Sequence, residues 1–239
     1  MSLHKKRRQR MAKITQERDN PVEIITMTDG GRTRTVKTID IYGQKFPMPD
    51  KVYVLAPGPN GIKAYKKIPP SSYVIAVNSA VMIPASHKVP FKISAWIVSD
   101  KDAVNKDWWG NANLKFRGNR IFSVEVTKRT RASDEMPIRT FLIDKKPDGD
   151  FMRNAGTVAG CAITFCHINS VKHVVLCGVD MSGNTYYDGS DNPDERWMED
   201  HGKVWTGRDI LDERIKYLAA CGMKVTTISK TKLKEVKKL

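Results

Sequence analysis

Small, polar and acidic side chains follow four of the short apolar segments in this 239-residue chain. The four sets are Pro57-Gly58-Pro59-Asn60-Gly61, Asn78-Ser79, Ser99-Asp100-Lys101-Asp102 and Gly178-Val179-Asp180. Turns favour Gly, Pro, Asn and Asp for backbone reasons, so a turn explains any one set. In an open parallel sheet, however, ligands bind outside the carboxyl ends of the strands. Four sets at one edge therefore predict a ligand site, with Gly58, Pro59, Asn60, Asn78, Ser79 and Asp180 as its candidate residues.

The first two sets suit a nucleotide. Gly58 and Gly61 carry no Cβ, so backbone N–H groups can approach a phosphate there, with a helix start near Asn60. Neither the P-loop pattern nor the dinucleotide G-x-G-x-x-G pattern is present. Asn78 offers both a donor and an acceptor, which suits a base edge or a sugar hydroxyl. A turn-capping Asn explains the same residue equally well.

Two further features are typical of ion sites. Asp100 and Asp102 lie on one side of an extended segment, and this spacing can hold a divalent cation such as Mg²⁺ that bridges a diphosphate. The same D-x-D pattern is also frequent by chance. Gly156 and Thr157 open the most apolar helix pattern, and the N–H groups and dipole at a helix start favour an anion.

His201 lies in a stretch of about 25 residues without strong periodicity, between Asp180 and the last predicted helix. Loops of this length in a compact domain are usually functional or disordered. A histidine there can take a proton from a hydroxyl or give one to a leaving phosphate, whereas the alternative is an ordinary surface histidine. Tyr186 and Tyr187 precede it, and residues 181–205 are interpreted as a lid.

The elements that position these residues alternate along the chain. Short β-branched segments predict strands at Val52–Ala56, Tyr73–Val77, Ile93–Val98, Ile121–Val126, Thr140–Ile143, His173–Cys177 and Lys224–Ile228. Apolar stripes predict helices at Thr157–Asn169 and Thr206–Ala220, the second ending at Gly222. This order predicts the α/β class: a single Rossmann-like domain with a mostly parallel sheet, helices on both faces and a lid-like loop.

The net charge of +15 is concentrated at the two ends. Residues 1–13 carry six basic residues and no acid, and residues 230–239 carry five lysines and one glutamate, so the ends hold ten of the fifteen net charges. We expect a basic tail with an irregular arm or hairpin over 1–50, a domain over 51–229, and a basic tail over 230–239. Such ends could dock on nucleic acid or on an anionic membrane surface, or they are simply solvated.

The four cysteines form no C-x-x-C pair and lie in apolar segments, which favours reduced, buried thiols. No run of 18 apolar residues is present, and no apolar stretch follows the basic N-terminus. These features predict a cytoplasmic protein, peripheral at the inner membrane surface if its basic ends dock there.

Beyond these separate features, the order of the motifs resembles two related families. The segments "APGPNG", "VIAVNSA", "AWIVSDKD", "NAGTVAGCAITFCHINSVKHVVLCGVDMSGNTYYDG" and "EDHGKVWTGRDILDERIKYL" cover residues 51–229 in order. They resemble bacterial sialyltransferases that modify lipooligosaccharide, and archaeal hydroxymethyl-dihydropterin diphosphokinase-like proteins of formerly unknown function. The most specific part is the helix, strand and "GVD" unit between Gly156 and Asp180.

The sialyltransferase resemblance implies a nucleotide-binding α/β domain with a lid that uses a cytidine monophosphate sugar without metal. It implies that Gly58, Pro59 and Asn60 line the donor phosphate, that Asn78 contacts the nucleotide, and that Gly156 and Thr157 hold the donor. His201 matches the family's general base, with Tyr186 and Tyr187 as lid aromatics. Two departures are visible: Ala56-Pro57-Gly58-Pro59-Asn60 stands where that family has G-x-G-P-S, and Met198 stands where it has a tyrosine.

These observations lead to three expectations. The first is a sialyltransferase-like glycosyltransferase that moves a sugar from a nucleotide donor to a hydroxyl acceptor without a cofactor. The second, implied by the diphosphokinase-like relatives, is Mg²⁺-dependent diphosphate transfer from a nucleoside triphosphate, with Asp100 and Asp180 on the metal. The third is a nucleic-acid-binding accessory protein that uses the basic tails, with Trp108 and Trp109 as stacking surfaces.

Overall fold

The structure is a computed structural model that describes residues 22–29, 32–40, 46–123, 126–127, 138–141, 157–181, 187–188, 198–200 and 203–239. Its strands are β1 (Val22–Asp29), β2 (Arg32–Asp40), β3 (Lys51–Leu55), β4 (Tyr73–Val77), β5 (Ile93–Val98), β6 (Asn119–Ser123), β7 (Ile138–Phe141), β8 (His173–Cys177), β9 (Met198–Asp200), β10 (Lys203–Trp205), β11 (Lys224–Thr227) and β12 (Lys237–Lys238). Its helices are α1 (Pro59–Ala64), α2 (Ile83–Ser86), α3 (Asp107–Lys115), α4 (Val158–Ile168) and α5 (Gly207–Ala220).

The strand order creates one switch point in the main sheet. Ten strands run in the order β1-β2-β7-β6-β5-β4-β3-β8-β11-β12, and the seven from β7 to β11 are mutually parallel. From β3 the chain moves outward to β7, and it then returns to β8 on the other side of β3. Ligands of open α/β sheets bind where the order reverses in this way. The carboxyl ends of β3 and β8 are therefore the place where a ligand is expected.

Residues on the central strands are buried on both sides of the sheet. On β3, Val52 and Val54 pack with α4 and α5 on one face, while Tyr53 and Leu55 pack with residues of α1 to α3 on the other. Strands covered on both faces are typical of parallel sheets between helical layers. The predicted α/β class, with a Rossmann-like parallel sheet and helices on both faces, is confirmed.

The two long helices begin and end at residues that satisfy their terminal backbone groups. The Thr157 hydroxyl accepts a hydrogen bond from the Gly160 N–H (3.1 Å), so α4 begins at Val158. Thr206 and Asp209 form a reciprocal capping box at the start of α5. At its far end Gly222 has φ +89°, which agrees with the predicted stop. In the described part of the chain, no helix has the length and apolarity needed to cross a membrane.

Some boundaries differ from the sequence prediction. The strand expected at Ile121–Val126 lies at Asn119–Ser123, because the Ser123 hydroxyl accepts the Val126 N–H (3.2 Å) and ends the strand. Arg120 is buried at its start because its guanidinium donates to the carbonyls of Asn113 and Phe116. A charged, buried position of this kind is invisible to hydrophobic patterning.

Two segments that were predicted to lie outside the domain contribute strands to the sheet. The predicted arm contains the antiparallel pair β1 and β2, and β2 continues the sheet beside β7. Residues 230–239, predicted as a basic tail, instead pack on the domain: Leu233 is buried and β12 pairs with β11. Their five lysines nevertheless remain exposed. The buried Asp212 carboxylate holds this segment by accepting the N–H groups of Lys234 and Glu235.

Candidate functional site

Two loops cross at the switch point with almost no space between their backbones. The Gly58 N–H donates to the Gly178 carbonyl (3.0 Å). A Cβ on Gly58 would lie 2.3 Å from that carbonyl oxygen, and a Cβ on Gly178 would lie 2.3 Å from the Ala56 carbonyl oxygen. Gly178 also has φ +77°, which side chains rarely adopt. Only glycine fits both sides of this crossing.

Asp180 joins the β8 loop to the start of α1. Its Oδ2 accepts the Asn60 N–H (2.7 Å), whereas its Oδ1 is buried without a hydrogen-bond partner among the described groups. The residue is only 4% exposed. Burial raises the pKa of this carboxyl, and the hydrogen bonds from Asn60 oppose that shift. Oδ1 is thus an acceptor position that nothing in the described structure satisfies.

The N–H groups of the β3–α1 loop are already used inside the protein. Gly58 donates to Gly178, Asn60 donates to Asp180, Gly61 donates to the Gly58 carbonyl, and Pro59 has no N–H. The loop therefore does not offer the backbone phosphate cradle that was predicted for Gly58, Pro59 and Asn60. A carboxylate occupies the position where a phosphate would approach.

Asn78 provides a second buried acceptor at the neighbouring strand exit. It has φ +48°, and its carbonyl accepts the Trp96 Nε1–H (3.0 Å), which fixes the backbone at the end of β4. Its Oδ1 is buried without a partner in the described structure. Asn78 and Asp180 thus follow the strands on either side of β3, and each presents an unsatisfied oxygen. Ser79, the next predicted residue, is buried at 2% exposure.

Tyr187 connects the predicted lid to the loops that follow β3 and β4. Its N–H donates to the Pro57 carbonyl (2.8 Å), and its hydroxyl lies 3.4 Å from the Ser79 carbonyl. Its ring contacts His87 edge-on, with centroids 6.3 Å apart. Burial and, to a lesser extent, Asp188 raise the pKa of the Tyr187 phenol. Tyr187 is therefore a neutral side chain at the site, and His87 is a neighbour that sequence reasoning missed.

Three predicted residues, Gly156, Tyr186 and His201, lie outside the described residues. Flanking His201, β9 pairs with β10 through Asp200 and Lys203, a two-stranded sheet that the lid prediction did not include. Thr157 is partly exposed at the start of α4. One turn later, the Cys161 thiol lies near Ser99 at the β5 exit. The start of α4 therefore lies at the same edge of the sheet.

Asp100 and Asp102 form a local cap. The Asp100 carboxylate accepts the Asp102 N–H (3.0 Å) at the start of a 3₁₀ helix over Lys101–Asn105. Among the described residues, no group of three or more His, Cys, Asp or Glu side chains could hold a metal ion. β5 and β8 are three positions apart in the sheet, or about 14 Å. This separation disfavours one Mg²⁺ ion bound by both Asp100 and Asp180.

Other candidate side chains belong to the core. Trp109 is buried at 7% exposure against Trp96 and Phe122, so the expectation that it is a stacking surface for nucleic acid is wrong. Burial raises the pKa of the Cys161 and Cys177 thiols to about 12. Neither thiol is therefore a thiolate near neutral pH. Cys221 is exposed, contrary to the expectation that all four cysteines are buried.

Sequence reasoning also missed Ser229, whose hydroxyl accepts the Gly178 N–H (2.9 Å). No local pattern marks this serine, because its role depends on β11 lying beside β8. Among the described residues, the switch point thus combines two unsatisfied oxygens, a glycine crossing and a tyrosine, and the start of α4 lies at the same edge of the sheet by the β5 exit. In comparisons with known proteins, no family model, no curated protein and no solved structure matches the chain.

Proposed function

We propose that this protein is a nucleotide-dependent transferase, and specifically a sialyltransferase-like glycosyltransferase that moves a sugar from a cytidine-type nucleotide donor to a hydroxyl acceptor. The observation that carries the proposal is a pair of buried acceptors at the switch point, Asn78 Oδ1 and Asp180 Oδ1, which have no hydrogen-bond partner among the described residues. Buried polar atoms normally have partners, so this pair calls for a ligand with hydrogen-bond donors. Ribose hydroxyls and an exocyclic amine on the base are donors of that kind.

The donor phosphate is proposed to lie apart from these acceptors. A phosphate beside the Asp180 carboxylate would meet a like charge, whereas the start of α4 at Thr157 favours an anion. Gly156, the residue before Thr157 in the sequence, is proposed to hold the same phosphate. The nucleoside therefore faces the β3–β4–β8 exits, and its phosphate faces α4.

The proposed reaction is a single displacement. His201 takes the proton of the acceptor hydroxyl as the hydroxyl oxygen attacks the anomeric carbon of the donor sugar. The bond between that carbon and the phosphate oxygen breaks, and the nucleotide leaves with the bonding electron pair. The positive end of α4 stabilises the charge on the leaving phosphate. Tyr187, neutral and fixed between two loops, borders the nucleotide, and Tyr186, the preceding residue in the sequence, is proposed as a second lid aromatic.

Thermal-shift and calorimetric titration of the full chain tests nucleotide binding. A ligand at one hundred times its Kd adds about 2.7 kcal/mol of stability. We expect cytidine monophosphate to bind the wild type, Asp180→Asn to weaken that binding, and Asp100→Asn to leave it unchanged as the matched control. If no nucleotide binds to the wild type, the proposal is wrong.

Two further measurements separate the alternatives. His201→Ala is expected to abolish sugar transfer while cytidine monophosphate still binds, and full activity in that variant would rule out His201 as the base. Mg²⁺-dependent binding of adenosine triphosphate that Asp100→Asn removes would favour diphosphate transfer instead. Binding of single-stranded DNA alone would favour the accessory-protein function.

A further inference from the structure

A cavity of about 530 Å³ opens on the sheet face that carries α1 to α3, away from the switch point. It is lined by residues preceding β5 and β6, by the α2 region and by the end of α3. Its lining residues are Val81, Met82, Pro84, Ala85, Phe91, Lys92, Ile93, Ala112, Lys115, Phe116, Arg117 and Gly118. We call it the basic cavity. Its volume lies in the range of about 300–1,000 Å³ that is usual for small-molecule sites.

The walls of the basic cavity are apolar and preformed. The Phe116 ring contacts Trp96 with centroids 5.8 Å apart, and the Phe91 ring contacts Tyr65 at 6.5 Å. The Phe116 carbonyl accepts a hydrogen bond from the Arg120 guanidinium (2.8 Å), which fixes the end of α3. Because both aromatic side chains are already held in place, the protein loses little side-chain entropy when a ligand binds between them.

Among the described residues that line the basic cavity, every charged one is a cation. Lys92, Lys115 and Arg117 are exposed, and none forms a salt bridge with another described residue. Arg120 behind the wall is close enough to Arg117 for their repulsion, together with the larger effect of burial, to lower the pKa of Arg120. An apolar floor with a purely positive rim is complementary to one kind of molecule: an apolar chain that ends in a negative charge.

We propose that the basic cavity binds an amphiphilic anion, namely a medium-length acyl chain with a carboxylate head. The chain lies between Phe91 and Phe116 beside Ala85, and the carboxylate meets Lys92, Lys115 and Arg117 at the opening. This site is separate from the proposed nucleotide site and does not depend on it. An acyl carboxylate could be a free ligand or the exposed end of a lipid, and the experiment distinguishes these sources.

The test is calorimetric titration of the full chain with octanoate, decanoate and dodecanoate below their micelle concentrations, with tryptophan fluorescence as a second readout because Trp96 contacts Phe116. Each buried CH₂ is expected to increase affinity by up to about fourfold. Decanol and decyltrimethylammonium, which share the chain but not the negative head, are expected to bind more weakly than decanoate. Equal affinity for the three heads would overturn the proposal.

Two variants with matched controls locate the site. Ala85→Phe fills the cavity from an exposed position and is expected to reduce decanoate affinity about tenfold, since its ring takes the space of at least two methylenes. Ala219→Phe, on the exposed side of α5, is its control. Lys115→Glu is expected to reduce affinity about fivefold, whereas Lys224→Glu at the start of β11 leaves it unchanged.

Full decanoate affinity in Ala85→Phe would place the ligand elsewhere and overturn the proposal. Vesicles of phosphatidylglycerol provide the last arm. If they bind the protein while monomeric decanoate does not, the face is a membrane-contact surface and the proposed acyl site is wrong.

Discussion

An aspartate follows each of the buried parallel strands β8 and β5, yet the two carboxylates make different hydrogen bonds. Asp100 accepts the N–H of Asp102, two residues further along its own loop. Asp180 accepts the N–H of Asn60, 120 positions away, and keeps a second buried oxygen that no group in the described part of the chain satisfies. The first contact is a turn-capping interaction, and the second joins two loops at the switch point. The difference shows that the strand order, rather than the acidic residue itself, brings Asp180 to the switch point.

The largest expected effect concerns the glycine crossing that allows Asp180 to reach α1. Gly178→Ala is expected to destabilise the fold by about 4 kcal/mol, because a Cβ would meet the Ala56 carbonyl at 2.3 Å while the backbone keeps φ +77°. Gly222→Ala, at φ +89° with nothing within 4 Å, is expected to cost only about 1 kcal/mol. Urea unfolding measures both. Equal costs would mean that the β8 loop relaxes freely.

The next effect is the loss of the carboxylate that joins the loops. Asp180→Ala is expected to lower the free energy of unfolding by about 1–2 kcal/mol, because the Asn60 N–H loses its acceptor. Asp180→Asn keeps a carbonyl oxygen for that N–H and is expected to retain most of the stability. If both variants unfold at the same urea concentration, the hydrogen bond to Asn60 contributes nothing measurable.

A smaller change is expected at the β5 exit. Asp100→Ala removes the cap on the Asp102 N–H and is expected to cost about 0.5–1 kcal/mol. Cytidine monophosphate affinity is expected to stay at the wild-type value, because Asp100 does not lie at the switch point. Loss of nucleotide binding in this variant would show that the two exits serve the same site.

The smallest effect is a pair of opposite pH dependences. Burial raises the pKa of Asp180 above its usual 3.8, so the stability difference between wild type and Asp180→Asn is expected to fall as pH rises above 3.8. The hydrogen bond from Thr206 lowers the pKa of Asp209. The stability difference between wild type and Asp209→Asn is therefore expected to fall as pH drops below 3.8. Urea unfolding across this range checks both signs. Parallel changes in the two variants would contradict the assigned causes.

The central strands could be predicted from the sequence because burial on both faces of the sheet leaves uninterrupted β-branched segments. The two long helices could be predicted because each carries an apolar stripe. β4, β5 and β8 lie within the residues predicted for them. α3 was not predicted, because its mixed surface of Trp, Gly and Asn carries little periodicity. The pairing of Asn60 with Asp180 could not be predicted either, since no local pattern reveals that β8 lies beside β3. The D-x-D pattern could not distinguish a metal ligand from a cap, because the cap joins Asp100 to the N–H of Asp102 within the same three residues.

The hydrogen bond between Asn60 and Asp180 also has a consequence for folding. Closing a segment of 120 residues costs about 4 kcal/mol of chain entropy, whereas the strand pairs from β3 to β7 and the pair β8–β11 close segments of 18 to 51 residues. The bond between Gly178 and Ser229 adds a second long closure. The switch-point site is therefore expected to be among the last regions to form. A nucleotide that binds there would distinguish completely folded molecules from those in which only one half of the sheet has assembled.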